Sequence, residues 1–180
     1  MAQRQPAELF AFLRQCNIHA ITHEHTAVFT VEQSRSIKEP LPGAHSKNLF
    51  LKDRKGRLFL VVARQETAID LKRLHEVIGA AGRVSFGSAD LLRETLGVEP
   101  GSVTPFAVLN DTDRKVTVVL DETLMAHDRV NFHPLVNTMT TGISSSDLIV
   151  FLRATGHEPL QCRLPSPAAT SAADPAPPSS

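Results

Sequence analysis

Two apolar runs on either side of a four-residue turn constrain this chain most. Asn48–Lys52 (NLFLK) and Leu58–Ala63 (LFLVVA) flank Asp53–Gly56 (DRKG). Short runs of β-favouring apolar residues bounded by a Gly-containing turn read as the two strands of a hairpin. A hairpin cannot stand alone in water, so the rest of the chain must supply further strands and a layer to bury its apolar side chains.

The neighbouring segments supply both. Residues 7–15 place Leu9, Phe12 and Leu13 on one helical face, and His19–His25 alternates weakly as a strand. Val31–Ile37 fits a short helix before the break at Pro40–Gly43 (PLPG). Asp70–Ile78 carries Leu71, Leu74 and Ile78 at helical spacing with Gly79 as a stop. Arg83–Phe86 reads as a short strand, and Ser88 caps a helix that runs to Leu96 and ends at Gly97. Lys115–Leu120 is a strand, with extended stretches near Val130–Phe132 and Thr138–Thr141. Ser144 with Asp147 opens a last helix that buries Leu148, Phe151 and Leu152 and stops at Gly156. Strict βαβ alternation is missing. The order predicts a single compact α+β domain with a mixed, mostly antiparallel central sheet flanked by helices.

The chain has 180 residues, one domain's worth. Residues 165–180 (PSPAATSAADPAPPSS) contain no Leu, Ile, Val or aromatic side chain. Such a segment cannot bury enough apolar area to offset its ordering entropy, so the domain is expected at 1–164 with a disordered tail at 165–180. No apolar run approaches the roughly 20 residues that span a bilayer, and the N-terminus lacks a signal core, so the expectation is a cytoplasmic protein without a membrane partner. Cys16 and Cys162, the two cysteines, make neither a disulfide framework nor a four-ligand zinc site.

Formal net charge is zero, which does not suggest a strongly basic nucleic-acid binder. Locally the balance differs. Between Lys47 and Arg73 eight basic residues face three acids. A phosphate-facing patch and a solvated surface of mixed charge both fit that stretch.

Several chemistries leave no signature. His23 and His25 would share one side of a strand, but no third metal ligand stands at a motif spacing. There is no GxSxG elbow, no catalytic cysteine context and no phosphate-binding glycine motif. Ser144–Ser146 are accounted for by helix capping. Three segments are more informative. Lys47 and Asn48 stand where a Pro/Gly loop enters an apolar strand, a place from which a charge and an amide can reach a cleft. Gly101–Pro105 (GSVTP) is a loop whose glycine permits close backbone approach, so its N–H groups can hold an oxygen. His133, in NFHPL, is biased to extended geometry by Pro134 and is a candidate for handling a proton or a hydrogen bond. Taken singly, each also fits an ordinary surface lysine, a simple turn or a structural histidine.

Taken together, HTAVFTVEQS (25–34), LPGAHSKNLFLKD (41–53), GSVTPFAVLND (101–111) and NFHPLVNTMTTGISSSDLIVFLRATGHEP (131–159) resemble the free-standing prolyl-tRNA editing proteins of the YbaK/aminoacyl-tRNA-synthetase-associated superfamily, in particular their alanine-specific branch. The resemblance spans nearly the whole body in the right order. It implies a compact α+β editing domain that hydrolyses the ester of alanine mischarged onto proline tRNA. An active site cannot strongly reject an amino acid smaller than its own, so a second hydrolytic site is needed.

The resemblance places the family's lysine on Lys47, its asparagine on Asn48, its GxxxP loop on Gly101–Pro105 and its histidine on His133. In such proteins the terminal ribose hydroxyl helps activate water, and no metal or other cofactor is implied. Lys47 would orient the terminal adenosine or its phosphate. Asn48 and His133 would hydrogen-bond the substrate, and loop amides would hold the developing oxyanion. Phe29, Thr30, Val31, Leu49 and Phe106 are the expected lining of a small apolar amino-acid pocket. Lys52, Arg54, Lys55, Arg57 and Arg83 are the expected contacts to the tRNA acceptor stem. Prolyl-tRNA synthetase or an elongation factor is a further partner to consider, and the expected state is a monomer. Thr26 stands where relatives often have Pro, and Ser46 where Thr is common, which leaves the backbone near the pocket less defined. Two other readings stay open: a deacylase of Cys, Ser or Thr esters, and a non-catalytic tRNA- or synthetase-binding module.

Overall fold

The computed structural model describes residues 3–26 and 41–168. The expected helix at Val31–Ile37 lies outside them.

Helix α1 (Pro6–Gln15) begins with Pro at its first position, and Glu8 reaches back to accept from the Gln5 N–H at 2.8 Å. Strand β1 (Ile21–Glu24) follows. The hairpin is present as β2 (Ala44–Lys52) and β3 (Leu58–Arg64), in register from Ser46↔Arg64 to Lys52↔Leu58. Helix α2 is only Leu74–Ile78, because the Asp70 carboxylate accepts the Lys72 N–H at 3.0 Å and holds the preceding residues in a turn. Strand β4 (Ser85–Phe86) and helix α3 (Ala89–Leu96) match the expected pieces. Ser88 caps α3, and Gly97 closes it at φ 65°.

Pro105–Leu109, which begins at the end of the expected Gly101–Pro105 loop, forms a 3-10 turn capped by Thr104. Strand β5 (Val116–Asp121) leads into a short helix α4 (Glu122–Met125), then β6 (Arg129–Phe132) and β7 (Met139–Ser144). Helix α5 (Ser145–Ala154) is capped by Ser144 Oγ, which accepts the Asp147 N–H at 3.0 Å. Strand β8 (Leu160–Cys162) ends the sheet.

The eight strands run in the order β1-β7-β6-β2-β3-β5-β8, with β4 added to β2. The ladders β1–β7, β6–β7, β2–β3 and β2–β4 are antiparallel, and β2–β6, β3–β5 and β5–β8 are parallel. The sheet is thus mixed and mostly antiparallel.

LFLVVA does not alternate because both sides of β3 are covered. Leu58, Leu60 and Val62 face the larger core with α1, α3, the 3-10 turn and α5, while Phe59, Val61 and Ala63 face a smaller one under α2 and Leu164. At the centre of the larger core, Phe106 meets Phe132 and Phe151 edge-on at 5.5 and 5.3 Å.

The domain's end falls slightly later than expected. Leu164 is buried, and the Pro165 carbonyl accepts the Asp70 N–H at 2.8 Å, so residue 165 is held by the body of the domain. Residues 169–180 of the expected tail lie outside the described residues.

Candidate active site

Strand β2 carries a notch on the side away from β3. There it pairs with β6 only at Ala44↔Val130 and His45↔Asn131, and with β4 only at Leu51↔Phe86 and Lys52↔Ser85. No strand among the described residues pairs with positions 46–50 on that side. The bonds Gln65 N–H to His45 O and Asp53 N–H to Arg57 O show that odd residues of β2 exchange bonds with β3. The backbone groups of Ser46 and Asn48 therefore point into the notch.

Several of the expected site residues collect around it. Two residues beyond the last β2–β6 rung, on the two strands, are Lys47 and His133. Strand alternation puts Lys47 on the sheet face of His45, and the ladder continues that face through Asn131 to Thr140 and His23. Lys47 is half-buried, and its ammonium donates to the Thr67 carbonyl. Burial pulls its pKa down, while the Glu66 carboxylate opposes that shift.

His133 Nδ1 donates to the Met139 carbonyl at 3.1 Å, which leaves Nε2 as the acceptor of a neutral ring. Burial holds the His133 pKa below its usual range, the Met139 bond opposes this, and His25 and His45 add to the lowering. His25 is the neighbour that the sequence reading did not assign. Its ring centroid lies 6.3 Å from that of His133, Nδ1 donates to the Thr26 carbonyl at 2.8 Å, and Nε2 meets Thr140 Oγ1 at 2.8 Å. Both ring nitrogens are thus bonded to protein groups.

Asn48 points the other way, toward the larger core. Its Nδ2 donates to the Val103 carbonyl at 2.9 Å and ties the Gly101–Pro105 loop to the notch. Its Oδ1 is buried with no hydrogen-bond partner among the described residues. A buried acceptor without a donor is costly, and it fits a site whose donor arrives with a ligand. In the loop Gly101 has φ 92°, the Ser102 N–H is committed to the Glu99 carbonyl at 2.9 Å, and Pro105 is buried at the start of the 3-10 turn.

The expected pocket and RNA contacts divide. Phe29, Thr30 and Val31 lie outside the described residues. Leu49 is half-buried on the Lys47 face and packs against the smaller core. Phe106 has no accessible surface and belongs to the core, so it does not line an open pocket. Arg57 is also occupied. Its Nε bonds Asp53 at 2.8 Å and a terminal nitrogen bonds the Gly79 carbonyl at 2.8 Å, which makes it a brace for the turn. Lys52, Arg54, Lys55 and Arg83 are exposed. A separate cavity of about 600 Å³ lies between α3 and the loop at Asn110–Asp113. Its cations Arg93 and Lys115 pair with Glu99 and Asp113, and none of the assigned site residues lines it.

The aminoacyl-tRNA editing domain model matches residues 25–151. A prolyl-tRNA synthetase associated domain-containing protein 1 from Danio rerio is 42% identical over 155 residues, covering 85% of this chain and 84% of the relative. A prolyl-tRNA editing protein ProX from Acetoanaerobium sticklandii is 39% identical over 150 residues, covering 83% of this chain and 91% of the relative. A solved structure described as a candidate trans-editing enzyme for prolyl tRNA synthetase shares the fold, with a TM-score of 0.69 at 19% identity over 91% of this chain and 98% of that one.

Proposed function

This chain belongs to the aminoacyl-tRNA editing domain family, and we propose that it is a free-standing deacylase that removes alanine from mischarged proline tRNA. The convergence of Lys47, His133 and the Asn48-tethered Gly101–Pro105 loop on one notch of the sheet carries this reading. The relatives' names, which concern prolyl-tRNA editing and association with prolyl-tRNA synthetase, support the choice of tRNA.

In this reading the CCA end enters the notch with its ester carbonyl at the loop. Water attacks the carbonyl carbon. The bond to the ribose oxygen breaks, the ribose takes the proton, and free alanine and tRNA leave. The terminal ribose hydroxyl beside the ester helps activate the water. The protein supplies position and charge stabilisation. Lys47 exchanges its bond to Thr67 for the terminal adenosine or its phosphate. The unpartnered Asn48 Oδ1 takes a donor from the substrate, and neutral His133 offers Nε2 as an acceptor. Loop amides hold the developing oxyanion. Prolyl-tRNA synthetase or an elongation factor fits as a partner that hands over the substrate.

The test is deacylation of Ala-, Cys-, Ser- and Pro-tRNA(Pro) together with Ala-tRNA(Ala). Selective loss of alanine from Ala-tRNA(Pro) is the expected result. Preference for Cys or Ser esters would replace the alanine assignment. RNA binding without hydrolysis of any of them would make the chain a binding module.

A further inference from the structure

One large apolar side chain stands out from the rest of the surface. Phe86 is 60% exposed, the highest value among the exposed large hydrophobic residues described and the one aromatic among them. Single exposed apolar residues are common and need no explanation, so exposure alone assigns nothing. The surroundings of Phe86 do.

Phe86 lies on β4, whose outer edge is free among the described strands. Its place is well fixed. The Gly87 N–H donates to the Phe50 carbonyl at 2.9 Å, and a Cβ on Gly87 would come within 2.5 Å of the Phe50 ring. Residue 87 must therefore be glycine for the chain to lie flat there, and Phe86 is presented from a pinned backbone. Phe86 pairs with Leu51, so it stands on the sheet face of Lys47. Four residue steps of β2 separate Leu51 from Lys47, about 13 Å at roughly 3.3 Å per residue. Phe86 thus marks the β4 end of the same notch whose β6 end is His133.

Cations cluster at this edge. Lys52 pairs with Ser85, the residue before Phe86, and so leaves the same edge on the opposite sheet face. Arg83 is exposed three positions upstream, and the Arg54 stem lies along Gly82. None of Lys52, Arg54 and Arg83 has a carboxylate in ion-pair range among the described residues, whereas Arg57, Arg64, Arg73 and Arg93 do. An exposed aromatic ring on an edge that also carries unpaired cations is the combination that holds single-stranded nucleic acid, by stacking on a base and attraction to the backbone.

We propose that Phe86 is a stacking platform for an unpaired nucleobase near the acceptor end of the tRNA, and so a positioning residue that sets how the charged end enters the notch. This rests on the reading of the chain as a tRNA deacylase. Lys52, Arg54 and Arg83 hold the flanking phosphates.

The test uses the full chain with a CCA-ended acceptor-stem RNA hairpin of proline tRNA, measured for binding by anisotropy and, when charged, for single-turnover hydrolysis. Phe86→Ala weakens binding by about 5- to 100-fold, the range of one base–aromatic contact. Phe86→Trp restores it and Phe86→Leu does not. The slope of affinity against salt is unchanged in Phe86→Ala but falls in Lys52→Ala, since only the latter removes a phosphate contact. An affinity within twofold of wild type in Phe86→Ala, or full rescue by Leu, overturns the stacking role while leaving a hydrolysing enzyme intact. A wild type that binds the hairpin without hydrolysing its charged form overturns the deacylase reading and leaves Phe86 to be judged by binding. A wild type that binds no hairpin overturns both.

Discussion

Lys47 and Asn48 are neighbours in the chain yet leave β2 on opposite faces of the sheet: Lys47 reaches the Thr67 carbonyl beside the smaller core, and Asn48 reaches the Val103 carbonyl beside the larger one. Under the proposed function both serve one site because the sheet is open beside them. A ligand in the notch would pass through the plane of the sheet and meet both faces.

The two residues should therefore fail differently when changed. Lys47→Ala should lower single-turnover deacylation by about 100-fold, the scale of misplacing the reacting end of the substrate. Its melting temperature should hardly change. Asn48→Ala should lower the rate and also cost about 1 kcal/mol of stability, because the Val103 carbonyl loses its donor. Hydrolysis rates and urea melts of the two variants separate these outcomes. An unchanged rate in Lys47→Ala would remove it from the site.

His133 predicts a pH profile. Burial lowers its folded pKa, so the folded state favours the neutral ring and the unfolded state binds the proton more readily at mildly acidic pH. Its stabilising contribution is complete above the ordinary histidine range and is lost as pH falls through the lowered value. Activity should follow the same direction, flat through neutral pH and falling on the acid side below 6.5 as Nε2 gains a proton. In His133→Gln that acid limb should move or vanish in a plot of rate against pH.

Asp53 organises the hairpin turn. Its two oxygens accept the N–H groups of Lys55, Arg57 and Ala81 and the Arg57 guanidinium, all at 2.8 to 3.0 Å. Burial of the carboxylate opposes ionisation, but these bonds outweigh it and bring the pKa down to about 2. The contribution is present above the ordinary value of 3.8 and is lost as pH falls toward 2. Asp53→Asn should melt below wild type at neutral pH, and the gap should narrow between pH 4 and pH 2 in thermal melts.

Phe106 separates core from pocket. Phe106→Ala should destabilise by about 3–5 kcal/mol in urea unfolding, as its contacts with Phe132 and Phe151 are lost. Phe106→Leu should cost less and leave the choice of amino acid unchanged in the deacylation panel. A shift in that choice without loss of stability would return Phe106 to the pocket.

The hairpin, α1, α3 and α5 were legible because each carries its own local signal: a turn, a capping residue, a terminal glycine, an apolar stripe. The parallel ladders β2–β6, β3–β5 and β5–β8 were not, since they join segments far apart in sequence and leave no local trace. Strand β8 has three residues and no pattern to read. Helix α2 came out short because the Asp70 turn competes with it. In the site, Lys47, Asn48 and His133 were assigned by their motifs, but their division between two faces follows from strand register. Arg57 and Phe106 are expected in the site by residue type, and packing gives each of them another partner. Residue type marks what a side chain is able to do, and only packing reveals that Asp53 and the aromatic core already hold these two. His25 was within reach, since it lies two residues from His23. Its bond to Thr140 spans 115 positions and has no sequence signature.

The pairing of β1 with β7 also sets an order in time. The Thr22 hydroxyl meets that of Thr141 at 2.8 Å across 119 positions, and His25 reaches Thr140 beside it. His133 and its anchor at Met139 belong to the same late segment. A chain emerging from the ribosome therefore exposes Lys47 and Asn48 before β6 and β7 exist to complete the notch. Those two residues wait on segments made long after them, and the order of synthesis becomes the order in which the notch is assembled.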